Sequence, residues 1–266
     1  AYYMAEIIVI TSGKGGVGKT TTTANLGTGL AKIGKKVALL DADIGLRNLD
    51  LILGLENRIV YDIVKVAEGK CRLKQALVRG KHYENLYLLP AAQTRDKDAL
   101  SPEQMKEICD QLAEEFDYIL IDCPAGIEQG FKNAIAGADK ALVVSTPEVS
   151  SVRDADRVIG LWEAEGKGSP QLIINRIKPD LVRQGDMIDI QDMLDILAIP
   201  LIGVVPDDDG IVASSNKGEP IIMNEKSKAG QAYSDIVQRI IGEEVPYQSY
   251  DKPKGFFGKL KRIFGG

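Results

Sequence analysis

A chain of 266 residues and 28.9 kDa, 44% hydrophobic, is long enough to bury a sizeable core. Its net charge of −5 argues against nucleic-acid binding by the whole protein. Its three cysteines, Cys71, Cys109 and Cys123, are widely spaced without a CxxC pair, which points away from a disulfide framework or zinc site and towards a reducing compartment. No run approaches the roughly 18 apolar residues of a membrane span, and no signal-peptide pattern opens the chain, so a cytoplasmic protein starting at Met4 is expected.

In chain order, "EIIVIT" (6–11) reads as a strand, "TTTANLGTGLAKIG" (21–34) as a helix and "KVALLDAD" (36–43) as the next strand. Further strands are expected at 85–91, 117–122, 140–146, 171–176 and 200–206, and helices around 102–115, 151–165, 187–197 and 229–242. The apolar runs lack strict alternation, as in strands covered on both faces. The expected fold is α/β: a doubly wound, mainly parallel sheet with helices on both faces. Residues 4–242 read as one domain, 243–255 as a flexible polar connector containing Pro246 and Pro253, and 256–266 as an amphipathic segment.

Between the first strand and helix stands Gly13-Lys14-Gly15-Gly16-Val17-Gly18-Lys19-Thr20, a match to G-x-x-x-x-G-K-[ST], followed by Thr21. Glycines let consecutive backbone N–H groups turn towards a polyphosphate, and the helix N-terminus adds its dipole. Lys19 reaches the outer phosphates and Thr20 offers a hydroxyl to Mg²⁺. The same loop contains Gly13-x-Gly15-x-x-Gly18, a dinucleotide fingerprint, but a dinucleotide-dependent oxidoreductase has no use for Lys19-Thr20. Asp122 closes the strand "DYILID", a position from which it can join a metal shell; the alternative is a turn-forming aspartate before Cys123-Pro124. Asp41 and Asp43 lie beyond the second strand, where either can face the outermost phosphate and orient an attacking water. Cys123 reads as a small buried residue and His82 as solvent-exposed.

"KGGVGKT" with its early lysine, together with "DADIGLRNLDLILG", "PAAQTRDKDAL", "DCPAGIE" and "PEVSSVRDADR", resembles the MinD/ParA group of P-loop ATPases, whose Walker A motif is deviant. The resemblance implies an ATPase using ATP and Mg²⁺ that dimerises face to face, with Lys14 crossing to the opposite subunit's phosphates. It further implies that Asp43 orients the attacking water, that Thr20, Asp41 and Asp122 serve the metal, and that Asn175, Arg176, Pro206 and Asp207 or Asp208 hold adenine. The partners it implies are a MinC-like division inhibitor and a MinE-like activator, docking on the helix that carries Arg153, Asp154 and Asp156. Cysteines bridging a cluster, as in the related nitrogenase iron protein, are excluded because only Cys123 falls in such a place.

The last segment sorts by charge. At about 100° per residue, Phe256, Phe257, Leu260, Ile263 and Phe264 share one arc of roughly 120°, with Lys259, Lys261 and Arg262 outside it. That pattern suits a helix lying on the cytoplasmic face of the inner membrane, at anionic lipid. The five basic residues of 252–266 leave the other 251 residues at −10 against the whole chain's −5. A ParA-like DNA-segregating ATPase, the alternative, wants basic clusters across the body instead.

Overall fold

The computed structural model describes residues 4–93, 96, 99–248 and 250. The first half runs β1 (Glu6–Thr11), α1 (Lys19–Lys32), β2 (Val37–Asp41), α2 (Leu49–Leu53), α3 (Ile63–Ala67), α4 (Leu73–Ala76), β3 (Val78–Arg79), β4 (Leu86–Leu89), α5 (Pro102–Ala113) and β5 (Tyr118–Asp122). The second runs α6 (Gln129–Ile135), β6 (Lys140–Ser145), α7 (Val149–Ala164), β7 (Gln171–Ile177), α8 (Pro179–Gln184), α9 (Ile190–Leu197), β8 (Leu201–Pro206), α10 (Gly210–Asn216) and α11 (Lys228–Ile240). All seven strands expected from the sequence form. The eighth, β3, has two residues, and α2, α3, α4, α6, α8 and α10 have four to seven each, too short for a helical period to declare itself.

The strands make one sheet in the order β3-β4-β2-β5-β1-β6-β7-β8, parallel throughout except where β3 pairs antiparallel with β4. Side chains of β1 alternate between its faces. Ile8 and Ile10 pack into the layer of Leu26, Leu30, Tyr233 and Ile236 from α1 and α11. Ile7 and Val9 enter the opposite layer, with Ile108, Phe131 and Trp162 from α5, α6 and α7. Burial on both faces explains the continuous apolar runs.

At the other end of the domain, part of the expected connector lies on the body. Arg239 of α11 donates to the carbonyls of Val245 (3.0 and 3.2 Å) and Pro246 (3.3 Å), and its guanidinium stacks 3.7 Å from the Tyr247 ring. Polarity and prolines read as looseness in the sequence, yet proline's neighbours keep their carbonyls free to accept. The residues expected at the membrane, Phe256, Phe257, Lys259, Leu260, Lys261, Arg262, Ile263 and Phe264, lie outside the described residues.

Candidate functional site

The carboxyl ends of β1, β2, β5, β7 and β8 converge on one rim of the sheet, where open α/β sheets place their ligands. The loop from Ser12 to Gly18 leaves β1 there and runs straight into α1. No side chain caps α1: Gly18, at its N-cap, is left-handed with φ 94°, so the first-turn N–H groups are turned to the loop's concave side. A side chain at Gly18 is excluded twice, by that conformation and because a Cβ there meets Asn175 Nδ2 at 2.2 Å.

Register brings the acids together. Asp41 and Asp122 are partners across β2 and β5, so their side chains share one face at one level, each only 1% exposed. Lys19, 7% exposed, forms a short ion pair with Asp122 Oδ1, while the hydroxyl of Thr20 donates to Asp122 Oδ2 at 2.8 Å and that of Thr23 to Oδ1 at 3.4 Å. Burial works to lower the Lys19 pKa, but the Asp122 charge and hydrogen bond outweigh it and hold the ammonium above its usual value. Asp41 is pushed well above the usual carboxylate range, by burial first and by the Asp122 charge second. Asp41 accepts from the N–H of Asp43 at 3.1 Å and of Leu49 at 3.4 Å, pinning the segment between them. Asp43 follows on that segment and lines a pocket of about 480 Å³, part of it open to solvent, with Ile44, Pro124, Glu128 and Phe131.

The second lysine goes elsewhere. Lys14 is half-buried, and its Nζ donates to Ser150 Oγ at 3.0 Å, in the first turn of α7, in a solvent-exposed hydrogen bond. Behind it the loop lies on α7 itself: a Cβ on Gly13 meets the Asp154 backbone at 2.2 Å, closer than any side chain tolerates. Arg153 and Asp156 are exposed on α7, while Asp154 is half-buried against the loop. Neither contact has a sequence signal, because each joins segments more than 130 residues apart.

On the other side, Asn175 Nδ2 donates to Val17 O at 2.8 Å, and Arg176 forms a short hydrogen bond to Gly16 O. Asn175 Oδ1 is buried with no hydrogen-bond partner among the described residues, an acceptor left open for a donor. Arg176 has φ 57° at a bulge between β7 and β8, a strained conformation of the kind retained at functional sites. Pro206 ends β8 nearby, but Asp208 is engaged locally, by Ser227 Oγ at 2.6 Å and Gly210 N at 2.8 Å, and Asp207 by Lys178 at 3.9 Å. The geometry thus gathers Asn175 and Arg176 at the loop and gives the two aspartates other partners. Burial pushes the Cys123 thiol up to about 12, consistent with a buried, unreactive side chain. His82 is half-buried rather than exposed, its Nε2 3.1 Å from Gly218 O, a contact between distant loops.

The donor set suits Mg²⁺: one hydroxyl and two carboxylates, all oxygen, beside a nest of N–H groups for phosphate. Among the described residues no cluster of three or more His, Cys, Asp or Glu that could hold a metal ion is found.

Comparison with known proteins places these features. The family model described as the CobQ/CobB/MinD/ParA nucleotide binding domain matches residues 8–221. The septum site-determining protein MinD of Bacillus subtilis is 58% identical, over 98% of this chain and 99% of its own. MinD from the MinC:MinD cell division complex of Aquifex aeolicus superposes with a TM-score of 0.87 at 52% identity, covering 92% of this chain and all of that one. MinD of Pyrococcus horikoshii, solved with Mg-ADP, gives 0.81 at 32% identity, covering 90% of this chain and 97% of its own.

Proposed function

The chain belongs to the CobQ/CobB/MinD/ParA nucleotide-binding family and, within it, to the septum site-determining MinD proteins, and from that premise we propose a Mg²⁺-dependent ATPase cycle that governs membrane attachment. In this reading ATP drives face-to-face dimerisation, the dimer holds the inner membrane surface through its C-terminal segment and positions a MinC-like inhibitor, and hydrolysis, stimulated by a MinE-like activator, releases it. The observation that carries it is the separation of the two lysines. Lys19 is buried on Asp122 beside Thr20, inside its own site, while Lys14 is half-buried, its ammonium held among the described residues by the exposed Ser150 hydroxyl, from which it can turn to another subunit.

The residues divide the work accordingly. The N–H groups of 13–20 and the Lys19 ammonium bind the phosphates, and Thr20, Asp122 and Asp41 are the oxygens for the metal. A divalent cation there neutralises phosphate charge as it develops. When Lys19 turns to phosphate, Asp122 keeps the Thr20 and Thr23 hydroxyls, so its carboxylate is not stranded. Asp43 orients the attacking water. Asn175 receives the adenine amino group on its unpartnered Oδ1 while its Nδ2 braces Val17, tying base recognition to the phosphate loop. Lys14, entering from the opposite subunit, stabilises charge on the transferring phosphoryl group as an arginine finger does.

One tail binds lipid weakly, because burial of its apolar face is largely cancelled by the entropy of ordering it. Two tails on one dimer act at high effective concentration, a gain on the order of 10²–10⁴. Sedimentation with anionic vesicles under ATP, ADP and no nucleotide tests this, alongside phosphate release. Binding is expected with ATP alone; equal sedimentation in all three states refutes the coupling, and absence of phosphate release refutes the enzyme.

A further inference from the structure

The strap described above forms more contacts than a passing connector needs. Besides the Val245 and Pro246 carbonyls, Arg239 donates to Ile202 O at 3.0 Å, and the Tyr247 hydroxyl donates to Leu201 O at 2.9 Å. Both acceptors belong to β8, the strand at the edge of the sheet. Val204, Ala232 and Asp235 complete the cleft in which Tyr247, Gln248 and Tyr250 lie. A planar guanidinium that serves three carbonyls while stacking on an aromatic ring is a clamp that lysine cannot reproduce. Glu243 and Glu244 lead into the strap and are exposed, so their charge does not draw the strap to anionic lipid.

We propose that Val245–Gln248, with Tyr250, form a strap that fixes where the C-terminal tail leaves the body, and so makes the β8–α11 edge the membrane-proximal face of the protein. The inference rests on the tail reading given under Proposed function. Five residues separate Tyr250 from Phe256, six steps along the chain, a reach of at most ~20 Å at about 3.5 Å per step. Without the strap the count starts at Gly242, and fourteen steps reach ~50 Å. The strap therefore brings the body against the lipid surface and limits its tilt. It also raises the effective concentration of a dimer's second tail by roughly 3- to 4-fold, from the −3/2 power of tether length.

The test uses full-length protein, vesicles of phosphatidylglycerol and phosphatidylcholine, and two variants, Tyr247→Ala and Arg239→Lys. Neither residue touches the nucleotide site, so basal ATPase activity is expected to hold. A dye on Gln231→Cys in a Cys71→Ser background reports energy transfer from α11 to labelled lipid. The variants are expected to exchange the amide hydrogens of 243–248 faster, to bind vesicles roughly 3- to 4-fold more weakly with ATP, and to lose energy transfer. Wild-type exchange in both variants, or faster exchange with wild-type affinity and transfer, overturns the strap and leaves the tail reading standing. Failure of the wild type itself to bind vesicles overturns the tail reading, and the inference with it.

Discussion

Replacing Lys19 with methionine tests the site before any nucleotide is added. Asp41 and Asp122 are buried as neighbours across β2 and β5, and Lys19 is the cation between them and the loop. Removing one partner of a buried ion pair costs about 3–5 kcal/mol, mostly the cost of stranding the other charge. Here Thr20 and Thr23 still donate to Asp122, so the lower figure, about 3 kcal/mol, is expected. In a domain of this size each kcal/mol shifts the midpoint by about 2–4 °C, so Lys19→Met should melt roughly 6–12 °C below wild type. Lys14→Met is the control: it makes the same charge change at a half-buried position whose hydrogen bond, to a neutral hydroxyl, is exposed, and it should stay within about 0.5 kcal/mol of wild type.

The measurement is thermal unfolding without nucleotide or Mg²⁺, from neutral pH down. The sign follows from Asp41, whose folded pKa is raised by burial and then by Asp122. Between its ordinary value and the raised one the folded state binds the extra proton, so stability falls as pH rises through that window. Loss of Lys19 removes an opposing charge and deepens the fall, so the deficit of Lys19→Met should shrink on acidification. Asp41→Asn in the same background should recover part of it at neutral pH. Equal melting of Lys19→Met and Lys14→Met, or a deficit untouched by Asp41→Asn, refutes the reasoning.

Asp43→Ala should retain ATP and dimerise yet lose hydrolysis by about 10²–10⁴, the usual worth of a positioned base, measured as single-turnover phosphate release; a monomer by light scattering with ATP bound counts against it. Lys14→Ala should fold normally but lose ATP-dependent dimerisation and activated hydrolysis. A heterodimer of Lys14→Ala with Asp43→Ala can regain at most one intact site, so full activity of Lys14→Ala alone sinks the trans role. Ile263→Glu places a charge in the apolar arc of the tail and should abolish vesicle sedimentation while sparing dimerisation; unimpaired binding contradicts the interfacial helix.

The phosphate loop was legible because its demands are local: strand, glycines, lysine, hydroxyl and helix follow one another, and each residue's conformation answers to its neighbours. Asp122 and Asp41 were legible in part, since each ends an apolar strand, but their adjacency depends on β2 and β5 being neighbours, which strand order decides. The contacts that escaped are non-local. Asn175 bracing Val17, Asp154 lying against Gly13 and Tyr247 stacking on Arg239 each require the fold to place two unremarkable segments together.

Spacing alone makes Lys14 and Lys19 look like two cations of one loop, and their surroundings make them different reagents. Lys19 is the first residue of α1, so its side chain starts at the inner end of the loop and is enclosed as β5 closes beside β1. Its charge is held by a buried acid and changes partner only when something more negative arrives. Lys14 lies five residues earlier, on the outer side of the turn, where its one partner is a neutral hydroxyl. An exposed ammonium on a serine loses little by leaving it, whereas one on a buried carboxylate loses a great deal. The lysine free to change partners is therefore Lys14, and a second subunit's phosphates are the partner we propose for it.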